Sequence, residues 1–414
     1  SNIVIYLGVF LALTVIIGVI SGLYTSSYLA RLKVVDIIKS SAHTGKRKQF
    51  FRSFLIVLQL VIFCSFVSST LIIRSQYKYA LNKDLGYFNK DILLIDLGAD
   101  FTGYSAYINS IRSIPNVIMA GGVMDGLPME GSMATMIPHF EDKTLKVNDE
   151  GLAVDFNFIK TMGIKILQGR EFSQDYGSDL EQSVMLNESA VKQLGITDPI
   201  GKQLIGSTII GVVEDFNLHS IQSDIPPLII NMTDKYIQQV AIHYKSGTLS
   251  SILPMLEAEW KKAAPERPFR YRPIEDIIKD IYSSEKNLST IVSIFALFTL
   301  LISAFGLFGL TLFIARSRIK EIGIRKVFGS SESSIVYTFL LNNLILVITA
   351  ILISIPVTIH FMVEWLNNYA YQTDINWIVF VFSFVIAAFV VLLTVFLQSY
   401  KASMANPVEA LRHE

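Results

Sequence analysis

The sequence predicts an α-helical membrane protein with about five transmembrane helices and one inserted α/β domain. Of the 414 residues, 51% are hydrophobic and only 17% are charged, whereas an average soluble domain carries about 25% charged residues. The apolar residues are concentrated in long stretches without charge, and a long polar segment separates the second stretch from the third. Composition and its distribution therefore both favour a membrane protein with a folded domain outside the lipid.

The long apolar stretches predict the membrane helices, because about 20 apolar residues in a helix cross the hydrocarbon core of a bilayer. Buried core helices of a large soluble protein are the alternative, and such helices rarely extend this far without a charge. The predicted spans are residues 3–24, 54–73, 288–315, 335–362 and 377–398.

The polar segment between the second and third spans has the pattern of a mixed α/β domain. Short apolar runs predict strands at 91–97, 183–187, 208–213 and 240–244, and helical periodicity predicts helices at 188–194 and 249–263. Charged, helix-compatible residues 74–85 continue the second span, and residues 274–287 lead into the third. They predict two unbroken stalk helices that leave the membrane, with ordinary interfacial helices as the alternative.

Basic residues in the short loops predict the orientation in the membrane. Lys and Arg cluster at 31–52 and 316–326, whereas residues 363–376 hold Glu364 and Asp374 but no Lys or Arg. Because cytoplasmic loops are enriched in basic residues, the N-terminus of this chain is expected outside and its C-terminus in the cytoplasm. The inserted domain is then expected to be extracytoplasmic.

A short motif recurs after the first and the last predicted span. Residues 33–39 read KVVDIIK and residues 406–412 read NPVEALR, so in both an acid precedes two apolar residues and a base. The recurrence predicts that the first span is the last helix of a preceding repeat and that the other four form one complete repeat. Residues 3–24 lack a charged n-region and a cleavage site and are not expected to be a signal peptide.

The sequence contains no recognisable motif for catalysis, nucleotide binding or metal binding. Gly45-Lys46 lacks the earlier glycine of a phosphate-binding loop, and the 6 His residues are scattered without ligand spacing. Cys64 is the single cysteine, and the net charge of zero argues against a nucleic-acid partner. Spans with almost no charge disfavour an ion-coupled transporter. We therefore expect a chain that is not an enzyme and holds no cofactor or metal.

Several segments resemble the FtsX/MacB-like permeases of ABC transporters. Residues 318–331, RIKEIGIRKVFGSS, resemble their cytoplasmic signature loop. Residues 155–172, 187–202 and 210–216 resemble their periplasmic core domain, and residues 406–412 are similar to their C-terminal motif. The resemblance covers nearly the whole chain. It departs from the two-repeat form in that only the last helix of a first repeat is expected here.

The resemblance implies the C-terminal repeat of a two-repeat permease with a MacB-type periplasmic core domain, in a bacterial cytoplasmic (inner) membrane. It implies mechanotransmission: a separate cytoplasmic ABC ATPase, expected as a dimer that binds ATP and Mg, drives movement of the outer domain. Export or extraction of a peptide, lipoprotein or drug-like substrate would follow. Further implied partners are the other permease half or a second copy, membrane lipid, and a periplasmic adaptor or outer-membrane duct. A regulatory protein that controls an extracytoplasmic hydrolase or senses a peptide is the alternative.

The segment after the third span is the predicted contact with the ATPase. Arg318, Glu321 and Arg325 share one helical face, where Arg can bind partner carboxylates in a bidentate manner. The alternative is that the basic residues only bind anionic lipid. The resemblance assigns coupling to Arg318, Lys320, Glu321, Ile322, Gly323, Arg325, Lys326 and Gly329, and a cytoplasmic tail motif to Asn406, Pro407, Glu409, Leu411 and Arg412.

The predicted divisions of the chain follow from these patterns. They are a helix of the preceding repeat plus linker at 1–51, a span and stalk at 52–85, the core domain at 86–273, a stalk and span at 274–316, the coupling segment at 317–334, two spans at 335–399 and the tail at 400–414, with an FtsX-like permease domain at 288–407. A new helix is expected to begin at 330–334, after Gly329.

Two further patterns leave alternatives open. Ser303, Ala304, Gly306 and Gly309 permit close helix contact, either with the partner half or within this chain. The four methionines between 124 and 136 (Met124, Met129, Met133 and Met136) fit either a flexible apolar binding surface or an ordinary loop.

Overall fold

The computed structural model describes Val19 and residues 44–124, 139–140, 143–144, 150–204, 206–217, 220–317 and 331–403. The chain divides into two compact units. The first consists of Ser1–Ile62, Thr299–Ile351 and Ile386–Glu414, and the second of Phe63–Phe298 and Leu352–Val385. The whole inserted segment belongs to the second unit.

The predicted helices and strands of the inserted segment are confirmed, with bounds that differ by at most one residue. Within the described ranges the helices are α1 (Thr44–Asn82), α2 (Tyr104–Arg112), α3 (Phe158–Met162), α4 (Asp179–Gln182), α5 (Glu188–Leu194), α6 (Leu249–Ala263), α7 (Ile274–Ile281), α8 (Ser283–Ser317), α9 (Glu332–Leu366) and α10 (Ile378–Ser403). The strands are β1 (Ile92–Asp96), β2 (Val117–Val123), β3 (His139–Phe140), β4 (Lys143–Thr144), β5 (Glu150–Val154), β6 (Ile166–Gly169), β7 (Ser183–Asn187), β8 (Gln203–Leu204), β9 (Ser207–Val213), β10 (Leu228–Met232), β11 (Gln239–Tyr244) and β12 (Arg270–Pro273).

Four helices in the described part of the chain are long and apolar enough to cross a membrane. They are Ser53–Asn82, Ser283–Gly309, Val336–Leu366 and Ile378–Tyr400, which confirms the second to fifth predicted spans. Large side chains on them, such as Phe305 and Phe389, are exposed, as expected for surfaces that face lipid. The chain is therefore a membrane protein. The first predicted span lies outside the described residues except for Val19.

The inserted domain is built on one mixed β-sheet, in the order β12-β1-β11-β2-β5-β10-β7-β9-β6, with β8 paired to β9. The pairs β5–β10 and β7–β9 are parallel, whereas pairs such as β1–β11 and β11–β2 are antiparallel. The short strands β3 and β4 pair only with each other among the described residues. The predicted α/β character of the domain is confirmed.

Both faces of the sheet are buried, which explains the continuous apolar run of β1. Ile92 and Leu94 join a core with α3 and α7 on one face, whereas Leu93 and Ile95 join a core with α2 and α6 on the other. Successive side chains of a strand point to opposite faces, so a strand covered on both sides needs apolar residues at every position.

The membrane helices of the second unit pack on each other next to this domain. Ile72 and Ile73 of α1 form a buried cluster with Met362 and Leu366 of α9. The Oγ atoms of two fully buried serines, Ser68 in α1 and Ser383 in α10, are 2.7 Å apart. Interhelical hydrogen bonds of this kind stabilise helix packing in lipid, where water cannot serve as a partner.

The prediction of two unbroken stalk helices is correct for α1 and wrong for the second stalk. Helix α1 is continuous from Thr44 to Asn82, but a turn at Tyr282 separates α7 from α8. The side chain of Tyr282 is buried, and its hydroxyl accepts a hydrogen bond from the backbone N–H of Ile221 at 3.0 Å. This tertiary anchor holds the chain where helical periodicity alone predicted continuation.

Two predictions on the helices of the first unit are also answered. Helix α9 begins at Glu332, where the Oγ of Ser331 accepts a hydrogen bond from the N–H of Ser334 at 3.3 Å; the predicted new N-terminus is confirmed. A Cβ on Gly306 would lie 3.2 Å from Oε1 of Gln59. At this position, therefore, the small residue serves helix contact within the chain.

Candidate functional site

The residues predicted to contact the ATPase lie outside the described residues, and their roles stay predictions. They are Arg318, Lys320, Glu321, Ile322, Gly323, Arg325, Lys326 and Gly329. The tail residues Asn406, Pro407, Glu409, Leu411 and Arg412 lie outside as well, as do Met129, Met133 and Met136.

The described part of the chain contains one dense polar connection between membrane helices and the inserted domain, which we call the junction. It consists of Gln76 in α1, residues 221–222 in the loop between β9 and β10, Tyr282 and Glu285 around the start of α8, and residues 369–373 in the loop between α9 and α10. All of these residues belong to the second unit, so the junction is a feature of a single compact body.

Glu285 is the centre of the junction. Its residue is 3% exposed, and its Oε1 accepts hydrogen bonds from the Tyr369 hydroxyl at 2.7 Å and from Nε2 of Gln222 at 3.1 Å. Its Oε2 accepts a hydrogen bond from the Ser284 hydroxyl at 2.9 Å. The three donors satisfy both carboxyl oxygens of Glu285 within the junction.

Backbone hydrogen bonds join the same segments beside Glu285. The N–H of Ala370 donates to the carbonyl of Gln222 at 3.1 Å, and the N–H of Tyr371 donates to the carbonyl of Ile221 at 3.2 Å. Ile221 in turn donates its own N–H to the Tyr282 hydroxyl. The loop between α9 and α10 is therefore bound to the inserted domain through main chain as well as side chains.

Gln76 ties α1 to the same loop. Its side chain is fully buried; Nε2 donates to the carbonyl of Tyr371 at 3.0 Å, and Oε1 accepts from the N–H of Thr373 at 2.8 Å. Near the C-terminus of α1, Nζ of Lys83 lies 3.8 Å from the centre of the Tyr371 ring, a cation–π contact. Both ends of the amide are thus satisfied by the backbone of one loop.

The environment keeps the junction tyrosines protonated. Burial raises the pKa of Tyr369, and the hydrogen bond that its hydroxyl donates to the Glu285 carboxylate raises it further. Burial also raises the pKa of Tyr282. Both hydroxyls therefore keep their proton near neutral pH, so Tyr369 remains a hydrogen-bond donor to Glu285.

Two further buried acids stabilise the inserted domain itself. Oδ2 of Asp155 accepts hydrogen bonds from the Tyr104 hydroxyl at 2.5 Å and from Arg112 at 3.0 Å, and burial raises the pKa of this carboxyl. Arg170 binds both oxygens of the fully buried Asp179, at 2.5 and 2.8 Å. Neither acid forms a metal site: among the described residues no group of three or more His, Cys, Asp and Glu could hold an ion.

Sequence reasoning missed the junction. Residues 74–85 and 274–287 were predicted as stalks that leave the membrane, but Gln76 and Glu285 were not singled out within them. The available signal was a lone acid at the edge of an apolar span, since Glu285 lies just before residues 288–315. Its partners Gln222 and Tyr369 are 63 and 84 positions away and could not be paired with it from periodicity.

Comparison with known proteins shows which family and which relatives the chain is similar to. Residues 293–407 match the model of the FtsX-like permease C-terminal family. The macrolide export ATP-binding/permease protein MacB of Chromobacterium violaceum is 22% identical over 313 residues, covering 71% of this chain and 47% of that protein. MacB of Acinetobacter baylyi is 23% identical over 390 residues, covering 88% of this chain and 57% of that protein.

The chain thus spans about half the length of the curated relatives it matches. Among solved structures, the periplasmic region of MacB from Actinobacillus actinomycetemcomitans aligns with 49% of this chain and 97% of its own, at 16% identity and a TM-score of 0.36. The family match and the similarity to MacB proteins confirm the resemblance that the sequence motifs indicated. Residues 293–407 are thus similar to the FtsX-like permease C-terminal family, and the chain is similar to MacB proteins over 71–88% of its length.

Proposed function

We propose that this chain is the membrane subunit of an ABC transporter that works by mechanotransmission. A separate cytoplasmic ATPase hydrolyses ATP, and the membrane helices carry the resulting movement to the inserted domain on the opposite side. The names of the relatives, which combine ATP binding with a permease, support an ATPase partner. The proposed cargo is a peptide, a lipoprotein or a drug-like molecule, moved by export or extraction from the membrane.

The composition of the second unit is the observation that carries this proposal. The unit contains the inserted domain together with residues 63–82 of α1, 283–298 of α8, 352–366 of α9 and 378–385 of α10. The domain's main core includes Tyr282 and Tyr369 at the membrane side. Close-packed cores have low compressibility, so a displacement of these helix segments is transferred to the domain rather than absorbed.

The proposed orientation follows from the charge distribution. The basic residues at 31–52 and 316–326 favour the cytoplasm, whereas the segment 363–376 at the end of α9 and in the following loop holds Glu364 and Asp374 but no Lys or Arg. The inserted domain and this loop are then extracytoplasmic, and the predicted coupling segment faces the ATPase. The other permease half or a second copy of this chain completes the proposed membrane complex.

Cysteine labelling tests the orientation. Cys64 is the single cysteine and is fully buried, so a membrane-impermeant maleimide should react only with an introduced cysteine at the exposed Lys235. We expect Lys235→Cys to be labelled in intact spheroplasts. Labelling only after the membrane is broken would place the inserted domain in the cytoplasm and refute the orientation.

A reconstituted complex tests the coupling. The chain is purified from native membranes with the ATPase that accompanies it, and an environment-sensitive fluorophore is attached at Lys235→Cys. We expect ATP to change the fluorescence, and Gly323→Pro in the coupling segment to abolish the change while Gly323→Ala retains it. The proposed function would be contradicted if ATP did not change the fluorescence of the chain with an unaltered coupling segment. ATP hydrolysis by the purified chain alone would also contradict it.

A further inference from the structure

The position of Glu285 needs an explanation beyond helix capping. An acid in the first turn of a helix is favoured by the helix dipole, and Glu285 lies in the first turn of α8. An exposed carboxylate would suffice for that effect. Glu285 is instead almost fully buried and binds side chains 63 and 84 positions away in the sequence.

The groups that Glu285 joins come from two segments that are far apart in the sequence. Gln222 lies in a loop of the inserted domain, and Tyr369 lies in the loop that connects two membrane helices, α9 and α10. Without the carboxylate, the buried hydroxyl of Tyr369 loses its acceptor, which is costly for a buried group, whereas the amide of the exposed Gln222 can bind water instead. The two backbone hydrogen bonds of Ala370 and Tyr371 lie directly beside these groups.

We propose that Glu285 is the positioning residue that fastens the α9–α10 loop to the inserted domain, so that this helical hairpin moves the domain together with α1 and α8. The effect of Glu285 on coupling rests on the proposed function. The structural part, the attachment of the α9–α10 loop to the inserted domain, is argued from the hydrogen bonds alone. It adds a third connection to the two stalks, since the α9–α10 loop is hydrogen-bonded to the inserted domain and Trp365 near the end of α9 packs against the domain's main core. Glu285 accepts from both sides of that connection.

Hydrogen exchange in the full chain, in lipid nanodiscs without ATPase, tests the structural part. Glu285→Ala and Tyr369→Phe should raise the exchange rates of the Ala370 and Tyr371 amides by about tenfold, while strand β1 stays protected. Glu285→Gln retains an acceptor oxygen for Tyr369 and Gln222 and should restore most of the protection. Tyr236→Phe, which deletes the same hydroxyl from an exposed tyrosine, is the matched control and should change nothing at the loop.

Comparing Glu285→Gln with Glu285→Met separates a hydrogen-bonding role from a space-filling role. Both side chains fill the space of Glu285, but only glutamine keeps an acceptor oxygen. Unchanged exchange at residues 370–371 in Glu285→Ala, or equal rescue by Met and Gln, would overturn the proposal. If Glu285→Ala does not fold, Tyr369→Phe still decides, because it removes one donor and keeps the ring.

The reconstituted complex then tests the consequence. In Glu285→Ala we expect ATP hydrolysis to continue while the ATP-dependent fluorescence change at Lys235→Cys is lost or greatly reduced, and in Glu285→Gln we expect it to return. An undiminished change in Glu285→Ala would refute the positioning role in coupling. If ATP does not change the fluorescence even with Glu285 in place, the result counts against the proposed function. The attachment of the loop by Glu285 is then decided by the hydrogen-exchange result alone.

Discussion

Replacing the buried amide of Gln76 gives the sharpest test of how firmly the junction holds α1 to the α9–α10 loop. Gln76→Met keeps the side-chain length and removes both hydrogen-bonding groups. The carbonyl of Tyr371 and the N–H of Thr373, which bond to Gln76 at 3.0 and 2.8 Å, are then left without these partners in a partly buried site. Because α1 itself remains a good helix with methionine, the effect should be confined to the loop.

The magnitude follows from two hydrogen bonds. Each contributes about 0.5–1.5 kcal/mol net, and an unsatisfied buried group costs more, so opening of the loop should become easier by about 2–3 kcal/mol. That free energy corresponds to a factor of about 30 to 150 in the opening equilibrium. The Thr373 amide reports it directly, because it is the donor in one of the two bonds.

Hydrogen exchange of a peptide that covers residues 369–376 is the assay, with the full chain in nanodiscs. The matched control is Gln203→Met in β8. Gln203 is exposed, and its side chain donates a hydrogen bond to the Thr208 hydroxyl in the paired strand β9. We expect a large acceleration in Gln76→Met and none at this peptide in the control. An acceleration of less than about threefold would mean that the amide contributes little, and the description of the junction as a firm connection would be wrong.

Two further predictions concern the inserted domain. Burial alone would raise the pKa of Asp179, but hydrogen bonds from Arg170, the Ser173 N–H and the Ser183 hydroxyl lower it below its usual range. Its stabilisation is therefore complete above the unfolded-state pKa of about 3.9 and is lost as the pH falls through the lower folded-state value. In acid titrations followed by circular dichroism, Asp179→Asn should be about 1.5–3 kcal/mol less stable at pH 7 and should lose less stability on acidification; an acid transition identical to that of the unmodified chain would contradict this assignment. Gly121→Ala should destabilise the domain by about 1–3 kcal/mol, because its Cβ would lie 2.5 Å from the backbone Cα of Phe158; a denaturation midpoint equal to that of Gly151→Ala, where a Cβ meets nothing within 4 Å, would show that β2 and α3 can separate without cost.

The elements that could be predicted from the sequence are those whose pattern is local. The run ILLI in β1 is apolar at every position because both faces of the sheet are covered, and the helical period of α6 buries Ile252, Leu256 and Trp260 on one side. Such patterns are complete within a few residues. They therefore gave the bounds of strands and helices nearly to the residue.

The sheet order and the junction could not be predicted because they depend on contacts between distant residues. Strand β1 pairs with β11 and β12, so Ile92 lies opposite His243, and no periodicity reveals such a partner. The turn at Tyr282 has the same origin, since the hydrogen bond that anchors it comes from Ile221, 61 positions earlier. Glu285 and Gln76 were expected simply to be polar residues of stalk helices, because their partners lie in separate loops.

The predicted coupling segment rests on a different kind of argument. Its residues, such as Glu321 and Gly323, were assigned by resemblance and by their spacing on one helical face. The match at residues 293–407 includes this segment and supports the family but not the individual roles. The division of the chain at 52–85 and 274–316 likewise remains a prediction, although the described helices α1, α7 and α8 lie within or across those limits.

The central claim is that the inserted domain and the α9–α10 loop move as one body when ATP is used. A distance measurement between spin labels at Lys235→Cys and Asn367→Cys, both exposed and both in the second unit, tests this most directly in the reconstituted complex. The account predicts a single distance distribution that is the same without nucleotide, with ATP bound and after hydrolysis. A distribution that shifts with the nucleotide state would show that the loop and the domain move apart, and the account would be contradicted.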